Sequence, residues 1–412
     1  MGQDTNKQNS VAPDNSQRTP LWEFISLDEY TLPTVLIHKS ASKAWQFFQK
    51  IFRRKNVLDG PIKKEYNFYS MPQVQLANLV PSLLWEDVAA ALDTKLHEWI
   101  LSDCSKRSIK FFIGQTFSGH NEIVSLLGKR HQAVEIKLPS IEQILSNEKS
   151  WFDNWPASEN LWVLPKLERC YLRHAKGLNL VRQLLSLAVS GHLGKGLIGC
   201  GSWAWAYIQR IFLLPQADAI TLQAFDAKRL QSLIYDLMKS ELNADIYYNS
   251  GSNDQEIANK SLEEKQLQKE FEELAAYCRG NVAIAITYWR NRLRYEPDEN
   301  EPDENKMKIK TGETKSRGHL WITAMPPEPE LPVGNNDEFC ILLHTIMLHH
   351  GLPDSLVGEL LPFSEIRCRG ILGQMEQAGI VYFDNSCWQV SEMAYIAIRK
   401  LLNAHGYLTD SF

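Results

Sequence analysis

IKFFIGQTFSGHNEIVSLL, residues 109–127, reads as three pieces of structure in succession. Ile109–Ile113 is a short apolar run of β-branched and aromatic residues, the pattern of a buried strand. Gly114–Gly119 follows as a turn, and Asn121–Leu127 begins a helical spacing. The same alternation continues outward. Ala133–Leu138 (AVEIKL), Leu161–Leu164 (LWVL), Gly196–Cys200 (GLIGC) and Ile220–Phe225 (ITLQAF) are four further short apolar runs. Helical stretches separate them, among them a long helix expected from about Glu168 to Val189 and the aromatic-rich SWAWAYIQRIF at 202–212. Short apolar strands alternating with helices predict a parallel sheet covered on both faces. On the N-terminal side, Leu84, Val88, Leu92, Leu96 and Ile100 share one helical face over residues 83–103, and residues 41–54 (ASKAWQFFQKIFRR) predict a shorter amphipathic helix. Residues 1–20 are polar and predict disorder.

The bulk properties bound the function classes. A length of 412 residues predicts two or three domains. The net charge of -5 argues against a dominant nucleic-acid-binding surface, while leaving room for a local basic patch. The seven cysteines are scattered, with no CxxC spacing, which predicts free thiols in a reducing compartment and no metal site. No apolar run approaches the ~20 residues of a membrane-spanning helix, and the polar start lacks the apolar core of a secretory signal. These features predict a cytoplasmic protein with no membrane insertion.

Beyond the fifth strand, residues 239–266 are polar and predict a loose excursion, and residues 267–294 predict a small helical unit. EPDEN at 296–300 repeats at once at 301–305, a charged, proline-containing linker that runs into MPPEPELP at 325–332. The rest is sharply punctuated. Glu338–His350 is an apolar helix stopped at Gly351, Pro353–Leu361 a short second helix, and Ser364 the N-cap of a third that ends at Gly379. Ile380–Phe383 and Trp388–Val390 flank Asp384-Asn385-Ser386 as a β-hairpin, and Glu392–Ala404 is a final helix.

Gly114-Gln115-Thr116-Phe117-Ser118-Gly119-His120-Asn121 carries the glycine spacing of a phosphate-cradling loop, GxxxxGK[ST]. In such a loop backbone N–H groups hold phosphates, the Lys neutralises them and the hydroxyl holds magnesium. Here His120 stands at the Lys position and Asn121 at the hydroxyl position. The glycine pair alone carries little weight, because about one such pair is expected by chance at ordinary glycine frequency. Its setting between a strand and a helix gives it meaning. An apolar strand ending in acids should follow, to bind magnesium and position water. LWVL instead ends in Pro165-Lys166, and Glu168, two residues after Lys166, is expected to point elsewhere.

This order resembles the AAA+ and STAND NTPases, including the origin-recognition-like branch, over roughly residues 80–295. The resemblance implies an α/β fold: a P-loop NTPase-like parallel sheet with a helical lid, followed by an α+β winged-helix domain, since three helices and a hairpin match that arrangement. It implies the divisions 1–80 (lead-in), 81–238 (core), 239–295 (lid), 296–332 (linker) and 333–412 (winged helix). It places Ser202 as a sensor candidate after the fourth strand, Arg210 as a finger candidate and Arg279 as a substitute charge in the lid. In the lid segment Cys278–Ala285 the two family patterns would put their Arg and Pro at Ala283 and Val282. Arg367, Arg369 and Gln374 on the third helix of the C-terminal unit are its recognition candidates.

The departures shape the functional expectation. Loss of the Lys and both acids removes charge neutralisation and the metal site together, each worth orders of magnitude in phosphoryl transfer. No catalytic residue and no metal ligand is assigned. Weak binding of ATP or ADP by the loop backbone, without hydrolysis, is the limit of the cofactor expectation. The reading is a catalytically degenerate regulatory or scaffold protein that acts through a protein partner, such as an active ATPase or an effector, with oligomer formation left open. The alternative is a DNA-binding ATPase or regulator that uses the winged helix; Glu365, Glu376 and Asp384 near its recognition elements weaken that reading. Trp203 and Trp205 read as core anchors, and Arg169, Arg173, His174 and Arg182 as a solvated or interface face of one helix.

Overall fold

A computed structural model of the chain describes residues 20–33, 69–71, 73–102, 109–153, 155–156, 160–212, 214, 218–238, 246–248, 260–296, 319–323, 325–326, 328–331 and 337–412. The helix expected over 41–54, the polar stretch 1–19, the EPDEN tandem after Glu296 and Cys104 lie outside those residues. In chain order the first half forms β1 (Phe24–Ser26), β2 (Tyr69–Ser70), α1 (Gln73–Leu79), α2 (Trp85–Leu101), β3 (Ile109–Gly114), α3 (His120–Arg130), β4 (Val134–Glu135), α4 (Ile141–Ser146), β5 (Trp162–Leu164), α5 (Asn179–Val189), β6 (Gly196–Gly201), α6 (Ser202–Ile211), β7 (Asp218–Leu222) and α7 (Ala227–Met238). The main sheet has the order β1-β7-β3-β6-β5-β4. Every pairing from β7 to β4 is parallel, and β1 joins β7 antiparallel.

The burial follows the sequence pattern. β5 and β6 are buried along their whole length, as strands between two helical layers must be. β4, at the edge, is exposed and only two residues long, so the six-residue AVEIKL run forms little strand. Trp203 and Trp205 are buried in α6, and Trp205 packs on Phe111 with centroids 5.0 Å apart, as core anchors do.

Counted from β3, the parallel strands lie in the order 5-1-4-3-2. The chain leaves β3 toward one edge and leaves β6 toward the other, so right-handed crossovers put α3 and α6 on opposite faces. A crevice opens between the C-terminal ends of two such strands, the usual ligand position in an open α/β sheet. Gly114 and Gly201 are register partners at those ends.

The long helix expected from Glu168 to Val189 does not form. Leu167–Arg169 is one 3-10 turn, and the helix α5 begins only at Asn179. Between them the chain folds back: Leu172 N–H donates to Gly177 O (3.0 Å) and Gly177 N–H to His174 O (3.0 Å). Tertiary bonds from Arg169, Tyr171 and Arg173 to the C-terminal unit outweigh helix propensity there. Those arginines and Arg182 therefore do not share one helix face.

The second half forms β8 (Ile246–Tyr248), α8 (Lys260–Tyr277), α9 (Val282–Arg292), β9 (Leu293–Glu296) and β10 (His319–Ile322). A second sheet, β2-β9-β10-β8, draws its strands from residues 69–70, 293–296, 319–322 and 246–248. Sequence reading expected no strand there. These runs of two to four residues are too short to show a period, and their partners are remote in sequence.

The C-terminal unit runs α10 (Asp337–Leu348), β11 (Leu352–Pro353), α11 (Val357–Leu360), α12 (Glu365–Gln377), β12 (Val381–Asp384), β13 (Cys387–Val390) and α13 (Tyr395–Ala404). Its sheet has the order β11-β13-β12. Ser364 caps α12 by accepting the Arg367 N–H at 3.4 Å. Among the described residues no helix is long and apolar enough to cross a membrane, and the described cysteines are free thiols.

Candidate functional site

The loop after β3 closes tightly. Ser118 donates twice to Gln115 O, from N–H at 3.1 Å and from Oγ at 2.7 Å. α3 then starts at His120, whose side chain is fully buried and turned back against the strand. A Cβ at Gly114 would stand 2.4 Å from His120 Cβ, so only glycine leaves room for the imidazole. His120 Nε2–H donates to Glu168 Oε1 at 2.9 Å, and Glu168 Oε2 accepts the Gly201 N–H at 3.1 Å. Glu168, expected to point elsewhere, thus ties the loop to the end of β6. The 3-10 turn at 167–169 bends the chain so that this carboxylate faces inward. Burial opposes ionisation of Glu168, but His120 beside it, with a smaller contribution from His350, holds its pKa down to about 2. Burial and the neighbouring His120 push the His350 pKa down as well, to about 4, which leaves that ring neutral; the two rings meet edge-on at 5.2 Å. Among the described residues His120 Nδ1 has no hydrogen-bond partner.

The loop is covered as well as filled. Gln115, Thr116 and Ser118 are buried. A buried loop needs partners for its polar groups. Gln115 Nε2 donates to Tyr30 Oη at 2.5 Å, and Asn281 Nδ2 to Thr116 O at 2.7 Å. Asn281 also caps α9, accepting the Ile284 N–H at 3.2 Å. The Phe117 and Tyr395 rings pack edge to face at 5.8 Å. Gly280, at φ +71°, lies so close to Ala224 that a Cβ would come within 2.6 Å of the Ala224 Cβ. That approach presses the start of α9 onto the sheet.

Ser202 and Arg279 are brought together by the chain's last residues. Ser202 Oγ donates to the buried Asp410 carboxylate, and Arg279 Nε donates to Phe412 O at 2.6 Å. Arg399 Nη2 holds both ends of this segment, donating to Asp410 Oδ1 and to Phe412 O at 2.9 Å each. Burial raises the Asp410 pKa, against the lowering effect of Arg399. Sequence reasoning missed Asp410; a lone acid near a chain end carries no pattern. Arg210 sits apart, exposed in the last turn of α6, about 12 Å along the helix from Ser202.

Pro165 is buried and Lys166 half-buried at the end of β5, so no acid stands there. Lys166, Arg169 and Asn121 line a cavity of about 590 Å³ beside the loop, with Arg290 of α9 and His350 and Asn385 of the C-terminal unit. Among the described residues no group of three or more His, Cys, Asp or Glu is placed to hold a metal.

The C-terminal unit is docked on the core. Arg169 Nη2 donates to His350 O and Tyr171 Oη to Leu348 O, each at 3.0 Å. Arg173 donates from N–H to His349 Nε2 and from Nη1 to His344 Nδ1, each at 3.3 Å. Burial lowers the pKa of both histidines to about 4, keeping them neutral acceptors. On α12, Arg367 pairs with Glu338 at 2.7 Å, and Arg369 with Glu365 at 2.8 Å and Asp354 at 2.9 Å; Gln374 is exposed.

No protein-family model and no curated protein matches the chain. Among solved structures it is similar to the Aeropyrum pernix ORC2 protein, in ADPNP and ADP complexes, at 12% identity over 82% of this chain and 96% of that one, with a TM-score of 0.29. It is also similar to the Walker-type ATPase of Pyrococcus abyssi, at 12% identity over 74% and 93% of the two chains, with a TM-score of 0.27. At those scores neither likeness carries weight, and the topology stands on its own as a mixed α/β fold with a mostly parallel six-stranded sheet.

Proposed function

We propose that this chain is a catalytically degenerate NTPase-like protein of the AAA+/STAND kind, acting as a regulatory or scaffold protein through a protein partner. The proposed units are the core at 81–238, the lid at 239–295 and a winged helix at 333–412. One observation carries the reading: His120, at the sequence position where a working loop carries its lysine, is fully buried and bonded to Glu168. Asn121, Pro165 and Lys166 offer no carboxylate for magnesium. The core, lid and C-terminal unit meet over the loop, which suits a molecule whose output is its assembled shape.

The DNA-reading alternative finds less support. Both arginines of α12 are paired with carboxylates, and the hairpin residues Asn385 and Gln389 face the cavity beside the loop. Phosphate contact requires basic groups free to reach it. The test is turnover by the purified protein. Magnesium-dependent ATP hydrolysis above the protein-free background is not expected. Hydrolysis that disappears in His120→Ala or Glu168→Gln would defeat the proposal.

A further inference from the structure

We infer that the pocket filled by residues 408–412 is a peptide-binding site, which the chain's own segment occupies and which an extended segment of a protein partner takes in its place. The partner segment presents the same order of groups: a carboxylate, one exposed residue, then an aromatic ring. The inference deepens the proposed role and rests on its reading that a protein partner carries the output.

Helix α13 ends in a Schellman turn at Gly406, φ +73°, with Gly406 N–H on Asn403 O at 3.1 Å and Tyr407 N–H on Leu402 O at 2.9 Å. Beyond Tyr407 the chain joins no helix or strand. Among the described residues none of 408–412 makes a backbone–backbone hydrogen bond. Side chains from elsewhere hold its carbonyls instead. His344 Nε2–H donates to Leu408 O at 3.0 Å, and Arg399 Nη2 to Asp410 O and Arg279 Nε to Phe412 O at 2.6 Å each. Asp410 and Phe412 are buried while Ser411 between them is exposed. The Phe412 ring lies against the Tyr30 ring with centroids 4.6 Å apart. A main chain held by the site, with alternate side chains sunk into it, is how an extended peptide is recognised.

The pocket is chemically complete only when filled. Among the described residues, every hydrogen bond from the Ser202, Arg279 and Arg399 side chains ends on Asp410 or Phe412. Burial, and after it the neighbouring Arg399, lowers the Arg279 pKa, so the two guanidinium groups stand close enough to oppose each other. The Asp410 carboxylate offsets that repulsion. Without a ligand the site would keep two like charges and a hydroxyl stripped of their acceptors, so it favours a carboxylate-bearing segment in cis or in trans. Because no ladder hydrogen bond holds residues 408–412, the segment can leave without breaking a helix or a sheet. A tethered segment competes at an effective concentration on the order of millimolar. A partner segment therefore enters readily only when the internal one is weakened or outmatched.

Fluorescence anisotropy on the full chain tests this, with fluorescein-labelled HGYLTDSF, the sequence of residues 405–412, as the probe. Substitutions in the internal segment and in the pocket should act in opposite directions. Asp410→Asn weakens the internal ligand by one charge-assisted contact, and the chain should then bind the probe at least about tenfold more tightly than the wild type does. Phe412→Ala should do the same by removing the ring from Tyr30. Adding Arg399→Gln to Asp410→Asn should reverse the gain, and the probe made with Asp410→Asn should bind at least about tenfold more weakly than the unaltered one. Equal affinity of wild type and both segment variants, no binding to either variant, or indifference to the aspartate of the probe would each overturn the inference. So would loss of the native circular dichroism spectrum in both Asp410→Asn and Phe412→Ala, since a displaceable segment is not part of the folded core. No outcome involves nucleotide, so the degenerate-site proposal stands or falls separately on its hydrolysis test.

Discussion

Replacing Glu168 by Gln isolates the one charge on which the closed loop depends. The carboxylate accepts from His120 Nε2–H on one oxygen and from Gly201 N–H on the other. A glutamine amide has one oxygen and carries no charge: if the oxygen accepts the Gly201 N–H, the NH2 faces His120 Nε2, which must give up its proton to accept. The pKa of Glu168 falls from an ordinary 4.5 to about 2 on folding, which corresponds to about 3 kcal/mol of stability. Breaking a buried pair by removing one partner gives a similar figure, about 3–5 kcal/mol. The folded value lies below the unfolded one. The stabilisation is therefore fully present above pH 4.5 and is lost as the pH falls toward 2. Urea unfolding followed by tryptophan fluorescence should show Glu168→Gln less stable by about 3 kcal/mol at pH 7, with the gap shrinking to less than half at pH 3. Glu135→Gln, on the exposed edge strand, serves as the control and should change little. A gap under about 1 kcal/mol at pH 7, or one that keeps its size at pH 3, would refute the reasoning.

Two further substitutions probe the surroundings of the loop. Gly280→Ala forces a side chain into φ +71°, against the Ala224 Cβ and 2.8 Å from the Phe225 N; it should cost at least about 2 kcal/mol, read as a lower urea midpoint. Arg173→Ala removes the side-chain bond to His344 but leaves the backbone bond to His349. The expected loss is about 1 kcal/mol, with faster limited proteolysis near residues 170–178 and no change in secondary structure by circular dichroism.

Much of the main sheet was legible because each strand is a local apolar run set off by glycine, proline or polar residues. The strand, turn and helix over residues 109–130 were legible for the same reason, since they are contiguous in sequence. Ser364 could be read as a cap because capping is a three-residue matter. What stayed hidden was set by partners far away. Glu168 meets His120 only because the expected helix gives way to a single 3-10 turn under contacts with residues 344–350. Asp410 and Phe412 reach Ser202 and Arg279 across more than a hundred residues, a closure that no local pattern reports. The second sheet escaped because its strands are short and its pairing joins Tyr69 to Tyr295.

The chain fills and covers its own loop between β3 and α3. Hydrogen–deuterium exchange over residues 114–120 tests it most directly. Amides of the buried loop should exchange as slowly as those of β3 and β6, in the absence of any ligand. Exchange within seconds, at the rate of an open surface loop, would contradict the account.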